Sequence, residues 1–121
     1  MALDAGAGKL YWTDVATGAV WRADVDGTDL EQIAFLEGHT RGIAVDSGAG
    51  KVYISGRSNS RLDRANLDGS EVDQVMEGLS SPVDVALEPA AERVYVASSN
   101  GVYRSSFTGD GFEQVVSTSA S

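Results

Sequence analysis

The segment Lys9-Leu10-Tyr11-Trp12-Thr13-Asp14 decides the fold, because the chain returns to it at a fixed interval. Its tyrosine recurs as Tyr53 and as Tyr95, and each copy lies 42 residues after the one before. The later copies read Lys51–Ser55 and Arg93–Ala97, with apolar residues on both sides of the tyrosine. A self-similar period of this size indicates a repeat architecture rather than an ordinary single-core domain.

Each copy divides into four short apolar segments separated by turn residues, which predicts four strands per copy. In the second copy the segments are Gly42–Val45, Lys51–Ser55, Leu62–Leu67 and Glu71–Met76. An Asp-Gly pair, which tolerates the positive φ of a tight hairpin turn, marks the turn between the third and fourth strands of each copy. These pairs are Asp26-Gly27, Asp68-Gly69 and Asp110-Gly111.

The second strand of each copy is apolar on both of its faces. Side chains alternate along a strand, so Leu10 and Trp12 face one way and Tyr11 the other. A sheet with one wet face would alternate apolar with polar residues, so each unit should lie between two neighbours. The first strands carry small central residues, which suit crowding near an axis: Ala2, Ala44 and Ala86. This pattern predicts an all-β fold of four-stranded propeller blades around a channel.

The predicted blades cover about 1–42, 43–84 and 85–121 within a single domain. A helical solenoid conflicts with the period-two alternation. Three blades are too few to close a ring, and an open stack would leave two apolar faces in water, more than a monomer tolerates. The simplest resolution is two chains related by a two-fold axis that close a six-bladed β-propeller. The predicted product is an obligate homodimer of half-propellers with a large apolar interface.

Composition narrows the possible partners. Nine basic and 18 acidic residues give a net charge of −9, which opposes binding to nucleic acid or to an anionic membrane surface. With no cysteine, the chain has neither disulfides nor a thiolate metal site. We expect no secretory leader, because no charged and then apolar segment precedes the first repeat. We also expect no membrane span, because no apolar run approaches the length that one needs. Neither a metal nor a cofactor is predicted.

The segments Lys9–Asp14 and Val20–Gly27 resemble the YWTD repeat, or class B repeat, of low-density-lipoprotein-receptor propellers. Arg64–Gly69 is similar to the arginine-alanine-asparagine-leucine-aspartate-glycine segment of that family, and Ser81–Leu87 is similar to its entry into the innermost strand. The resemblance covers essentially the whole chain. It implies a six-bladed ring that binds proteins through an exposed face and is not generally enzymatic.

The chain departs from that family in three respects. The full tetrad occurs once, since Gly56 and Ser98 stand at the position of Asp14. The flanking cysteine-rich modules of the animal receptors are missing, and only three copies are present. The resemblance implies that the aspartate and the third-strand arginine link neighbouring strands or blades. The residues expected to pack the blades are Tyr11, Trp12, Tyr53, Tyr95, Arg22, Arg64 and Arg104.

Two features could suggest chemistry but favour structural roles. Asp24–Asp29 has the acidic character of a calcium loop, yet glycine comes fourth rather than sixth, so a hairpin turn is the better interpretation. His39 is the only histidine, with no cysteine to act as a nucleophile and no serine signature around it. No catalytic residue is predicted. Trp12 aligns with core positions, whereas Trp21 is expected to be partly buried on an outer strand.

Ligands of propellers usually bind the face formed by two sets of loops, those between blades and those between second and third strands. By this fold analogy, the predicted ligand-binding face holds Glu37, His39, Arg41, Arg57, Asn59, Glu77 and Asn100.

The leading functional hypothesis is therefore a non-catalytic scaffold for a protein or peptide ligand, assembled as a homodimer. One alternative is a metal-dependent hydrolase or lyase with a site in the central channel. Another is a fragment of a longer six-repeat receptor-like propeller, since the first repeat begins directly after Met1.

Overall fold

The computed structural model of the protein describes residues 1–14, 16–35, 40–56 and 60–117. Within these ranges the chain forms twelve β-strands and one short 3-10 turn at Pro89–Ala91. The first sheet contains β1 (Ala2–Asp4), β2 (Lys9–Thr13), β3 (Ala19–Asp24) and β4 (Glu31–Phe35). The second contains β5 (Thr40–Asp46), β6 (Lys51–Gly56), β7 (Arg61–Asn66) and β8 (Asp73–Met76). The third contains β9 (Asp84–Glu88), β10 (Arg93–Ser98), β11 (Gly101–Ser106) and β12 (Glu113–Ser117).

Each sheet is an antiparallel meander in which neighbours in sequence are neighbours in space. The central tyrosine of the second strand pairs with the arginine of the third strand in all three sheets: Tyr11 with Arg22, Tyr53 with Arg64, and Tyr95 with Arg104. The predicted all-β fold of three four-stranded propeller blades is confirmed. We call the sheets blades 1, 2 and 3 in chain order.

The hairpin turns between third and fourth strands share one geometry. The N–H of Gly27 donates to the carbonyl of Asp24, and that of Gly69 donates to Asn66. In blade 3 Asp110 and Gly111 lie in the turn as predicted, but the equivalent donor is Gly109, whose N–H bonds to the carbonyl of Ser106. The tighter loop before β11 shifts the frame of this blade by two residues and moves the turn glycine with it.

The core lies in two layers between the blades. The tyrosine side of blade 1, with Tyr11 and Val20, packs on the aliphatic side of blade 2, with Val52 and Ile54. The tyrosine side of blade 2 packs in the same way on the aliphatic side of blade 3, and this layer contains Tyr53, Leu62, Val85, Val94 and Val96. Blade 2 is therefore buried on both faces, as the apolar character of its second strand predicts.

The two outer faces of the stack have no neighbour within the described chain. On blade 1, Leu3 pairs across the strands with Leu10 and Trp12 pairs with Trp21. Trp21 is partly buried, as expected, and Trp12 beside it is also partly buried. A core position for Trp12 requires a neighbour on this face and stays a prediction. Its counterpart in blade 2, Ile54, is 1% exposed because blade 1 covers it.

The first strands of adjacent blades run side by side at the inner edge of the stack. A Cβ added at Gly42 in β5 would lie 2.8 Å from the Cα of Asp84 in β9, so the backbones meet there directly. This close approach explains why small residues occupy the inner strands. No helix in the described ranges has the length and apolar character needed to cross a bilayer.

Candidate functional site

One end of the blade stack is built from two sets of loops, those between blades and those between second and third strands. We call it the loop end. Its loops are hydrogen-bonded to one another: Ser99 donates its N–H and its hydroxyl to the carbonyl of Ser80, at 2.8 and 2.9 Å. Leu79 donates its N–H to the carbonyl of Ser60 at 2.8 Å. These bonds join the described loops of blades 2 and 3 into one surface.

Three of the seven residues predicted for the ligand-binding face lie within the described residues. Arg41 and Glu77 are exposed, and Glu77 accepts a hydrogen bond from Gln74 at 3.1 Å. Asn100 makes hydrogen bonds within its own blade. Its Oδ1 accepts from the hydroxyls of Ser98 and Tyr103, and its carbonyl accepts from Gln114 at 2.8 Å. Glu37, His39, Arg57 and Asn59 lie outside the described residues.

Sequence reasoning missed Ser80 as a residue that shapes the loop end. Ser80 joins the connection between blades 2 and 3 to the hairpin at Ser99, through its carbonyl and through a hydroxyl contact at 3.1 Å. The paired serines Ser80-Ser81 and Ser98-Ser99 were the available signal, because serines in adjacent loops bond readily to nearby backbone.

The acidic segment Asp24–Asp29 is a hairpin turn whose carboxylates are already engaged. Asp26 accepts from the N–H and hydroxyl of Thr28, at 3.0 and 2.6 Å, and Asp24 pairs with Lys9 at 2.5 Å. The hydrogen bond from Lys9 holds the pKa of Asp24 below its usual value, whereas Asp24 beside it raises the pKa of Asp29. Within the described ranges, no group of three or more acidic or histidine side chains is placed to hold a metal ion.

The third-strand arginine of blade 1 links two blades through backbone rather than through another side chain. Arg22 is paired with Glu31 in its own blade, and its Nη1 donates to the carbonyl of Leu67 in blade 2 at 2.7 Å. Arg104 forms the same internal pair with Glu113, at 2.6 Å. Asp14, in contrast, caps its own turn, where its Oδ1 accepts the N–H of Ala16 at 3.0 Å. In blade 1 the link between blades is therefore made by the arginine.

Two buried polar groups have shifted pKa values. Burial raises the pKa of the Tyr53 hydroxyl, and Arg64 beside it offsets part of that rise. Burial also raises the pKa of Asp63, which the adjacent Arg61, at 3.0 Å, offsets only in part. Both groups lie within the layers between blades, so they report on packing rather than on a reactive site.

The outer face of blade 1 forms a second candidate binding surface. We call it the Trp face, defined by Leu3, Leu10, Trp12 and Trp21. Leu3 is 59% exposed, although the equivalent Val45 of blade 2 packs against blade 1. An apolar surface with an aromatic pair at its centre is typical of a protein interface.

The outer face of blade 3 is the counterpart of the Trp face. We call it the Tyr95 face, defined by Ala86, Tyr95, Ala97 and Val102, which pair across the strands. It contains a recess of about 210 Å³ lined by these residues together with Asp84 and Val85. A larger polar recess of about 410 Å³ lies beside it, and Arg93, Arg104 and Glu113 contribute to its wall.

No protein-family model matches the chain, and no curated protein matches it in sequence. Solved structures do match. A chain in the crystal structure of a nidogen/laminin complex has a TM-score of 0.88 and 19% identity, covering 97% of this chain and 47% of that one. A protein assigned as TolB from Agrobacterium tumefaciens has a TM-score of 0.77 and 13% identity, covering 95% and 47%.

A protein of unknown function from Bacteroides thetaiotaomicron matches with a TM-score of 0.73 and 19% identity, covering 93% of this chain and 32% of its own. At such identities the likeness shows the fold alone. The protein is thus a β-propeller protein, and its three blades span about half the length of the first two chains that it matches.

Proposed function

We propose that the protein is a non-catalytic binding scaffold in which two chains of three blades close a six-bladed ring. The observation that carries the proposal is that each outer face of the stack repeats a face that is buried inside it. The Trp face is equivalent to the aliphatic sides of blades 2 and 3, and the Tyr95 face is equivalent to the tyrosine sides of blades 1 and 2.

The proposed ligand is a protein or peptide that binds at the loop end. Hydrogen bonds between the loops of blades 2 and 3 hold that part of the surface in place before any ligand arrives, which lowers the entropy cost of binding. The exposed Arg41 and Glu77 provide charges of both signs on it. The turns at the opposite end are short hairpins whose polar side chains bond mainly to their own turn.

The assembly is tested by the mass of the protein in solution. Light scattering at micromolar concentration should give twice the chain mass of 12.6 kDa. A folded species that remains at the mass of one chain at all concentrations would contradict the ring.

The ligand-binding surface is tested by removing one charge from each end of blade 2. Peptides selected from a random displayed library on the immobilised protein should bind Glu77→Gln about tenfold more weakly, the scale of one hot-spot contact. Glu71→Gln at the opposite end is a matched control, because Glu71 is also exposed and also accepts one amide hydrogen bond, from Asn66 at 2.9 Å. Binders that are weakened by Glu71→Gln and not by Glu77→Gln would place recognition at the wrong end.

A further inference from the structure

The turns and the fourth strands of adjacent blades meet at one repeated contact. Each fourth strand has a register shift, which leaves Ile33 of β4, Val75 of β8 and Val115 of β12 unpaired in the ladder. A Cβ added at Gly69 would lie 1.7 Å from the carbonyl oxygen of Ile33, and one added at Gly109 would lie 2.5 Å from that of Val75. The turn glycine of each following blade therefore packs on the bulge carbonyl of the preceding blade.

At each end of the stack, one partner of this contact between a turn glycine and a bulge carbonyl is missing from the described chain. Gly27 is the equivalent glycine of blade 1, with a φ of +89°, and no atom of the described chain lies within 4 Å of its added Cβ. Val115 is the equivalent bulge of blade 3, and it is 38% exposed. Each lacks within the described chain the contact that its counterparts make.

The arginine contact follows the same order. Arg22 of blade 1 donates to the carbonyl of Leu67 in the turn of blade 2. The equivalent arginine of blade 3 is Arg104, and the equivalent carbonyl at the other end of the stack belongs to Val25. Val25 and Leu67 are held in the same way in their blades. Each donates its N–H to a carbonyl in the turn between the first and second strands, Val25 to that of Gly8 and Leu67 to that of Gly50.

The side-chain volumes of the two outer faces are complementary. Between blades 1 and 2, Val20 of blade 1 lies in one apolar cluster with the larger Ile54 of blade 2. Between blades 2 and 3, the equivalent residues are Leu62 and the smaller Val96. Each layer thus combines a larger with a smaller side chain at these positions. At the outer faces the equivalent pair is Val102 with Trp12. Val102 lines the recess of about 210 Å³ on the Tyr95 face, which provides room for a large aromatic side chain.

We infer that the Trp face of one copy packs on the Tyr95 face of a second copy in the geometry that joins blades within the chain. Gly27 then packs on the Val115 carbonyl of the second copy, and the second copy's Arg104 donates to the carbonyl of Val25. We call this interface between the two copies a seam. Two seams, related by a two-fold axis, complete the ring. The inference rests on the proposed assembly and specifies which atoms meet in it.

A second copy is the occupant that the chain lengths favour. The protein covers 47% of each of the first two chains that it matches, so two copies supply nearly the whole of such a chain. The net charge of −9 on each copy gives no long-range attraction, which leaves apolar burial and these local contacts to hold the seam.

The test compares Gly27→Asn with Gly8→Asn by sedimentation equilibrium. Asparagine tolerates positive φ better than most residues, so both variants should fold. In Gly27→Asn the added side chain would clash with the Val115 carbonyl of the second copy, and the dissociation constant of the dimer should rise at least tenfold. Gly8 is a matched control because its counterpart Gly50, in a blade covered on both faces, also has open space around its added Cβ. Gly8→Asn should therefore dimerise like the unmodified protein.

Arg104→Gln provides a second variant that does not depend on turn conformation. It removes the charged donor from the partly exposed face of blade 3, and the dimer should again dissociate at higher concentration. The chain's two tryptophans both lie on the Trp face, so dilution of the unmodified protein should shift their fluorescence to the red as the seam opens.

The possible outcomes separate the seam from the assembly. A dimer that neither Gly27→Asn nor Arg104→Gln weakens would overturn the seam and leave the six-bladed assembly standing. A stable monomer would overturn both, and would mean that the outer faces are covered by another partner or by further blades of a longer chain. If Gly27→Asn does not fold, Arg104→Gln decides alone.

Discussion

At the residue scale, one repeated tyrosine has different surroundings in different blades. Tyr11 is 1% exposed beneath blade 2 and Tyr53 is 0% exposed beneath blade 3, whereas Tyr95 lies partly exposed on an outer face. The three occupy equivalent strand positions, so the difference in burial arises from what lies against them. Among the described residues, neither the Tyr53 hydroxyl nor the Nε of Arg64 beside it has a hydrogen-bond partner.

We expect Tyr53 to stabilise the protein through its ring rather than its hydroxyl. Tyr53→Phe removes a hydroxyl without a partner, so the free energy of unfolding should change by less than about 1 kcal/mol. Tyr53→Asp places a carboxylate between two blades and should cost about 3 kcal/mol or more. Urea unfolding of the two variants checks this, and a loss with Tyr53→Phe as large as with Tyr53→Asp would show that the hydroxyl is bonded.

A buried carboxyl gives the protein a predicted pH dependence. Asp63 is 3% exposed, and burial raises its pKa above the usual 3.8. Because the folded-state pKa exceeds the unfolded-state pKa, the ionised group opposes folding. This cost is absent below the unfolded pKa, and it develops as the pH rises from 3.8 through the higher folded pKa.

Asp63→Asn should therefore stabilise the protein at pH 7 and have little effect below the pKa of the unfolded carboxyl. Asparagine has the same shape and carries no charge, so it removes the burial cost of the ionised form. Urea unfolding of both proteins at pH 7 and at acid pH measures the difference. A variant less stable than the unmodified protein at pH 7 would show that the ion pair with Arg61 outweighs the cost of burial.

At the scale of elements, specific backbone contacts join the blades in addition to the apolar layers between them. The bulge carbonyls of β4 and β8 receive the turn glycines of the following blades, and the Leu67 carbonyl receives Arg22. A bulge releases one carbonyl from its ladder and turns it towards the next sheet. The blade spacing is therefore sensitive to the residue at the turn.

Gly69→Ala should destabilise the protein more than Gly50→Ala does. Both glycines have positive φ, +88° and +67°, so each alanine should cost about 1–2 kcal/mol for its backbone conformation. Only Gly69 faces another blade, and the clash with the Ile33 carbonyl should add about 1–3 kcal/mol of packing strain. Thermal unfolding of both variants measures the difference, and equal losses would show that the turn does not press on blade 1.

Most of the fold could be predicted from the sequence, because strand pairing follows a periodicity that residue types display. The interval from Tyr11 to Tyr53 to Tyr95 sets the blade repeat, and apolar residues on both sides of Tyr53 predict a blade covered on two faces. The bulges could not be predicted, since Ile33, Val75 and Val115 are ordinary strand residues.

The candidate site was less predictable than the fold. Arg22 could be identified as a linking residue, but its acceptor is a backbone carbonyl, which no residue type marks. Asn100 was placed on the ligand-binding face, and its bonds to Ser98 and Tyr103, which hold its own hairpin, were not foreseen. Loop residues take roles from their neighbours, and the spacing of a sequence does not specify those neighbours.

At the scale of the whole molecule, the chain is a stack with two unlike apolar ends, and we propose that these ends fit each other. If each end covers the other end of a second copy, no apolar face is left exposed, and the assembly stops at the size that closes the ring. A dimer of this kind unfolds at a temperature that depends on protein concentration, because unfolding also separates the chains.

We expect a single polypeptide made of two copies joined end to end to form the whole ring. Five residues, 118–121 and the next Met1, would connect β12 to the following β1, and the connections within the chain have four residues (36–39) and seven (77–83). The ring can thus close within one molecule, so the tandem protein should be monomeric and its unfolding temperature should not depend on concentration. That temperature should exceed the value for the separate chains at micromolar concentration, because the linker gives the second copy an effective concentration on the order of millimolar. A tandem protein that associates further would show that the two end faces do not fit each other.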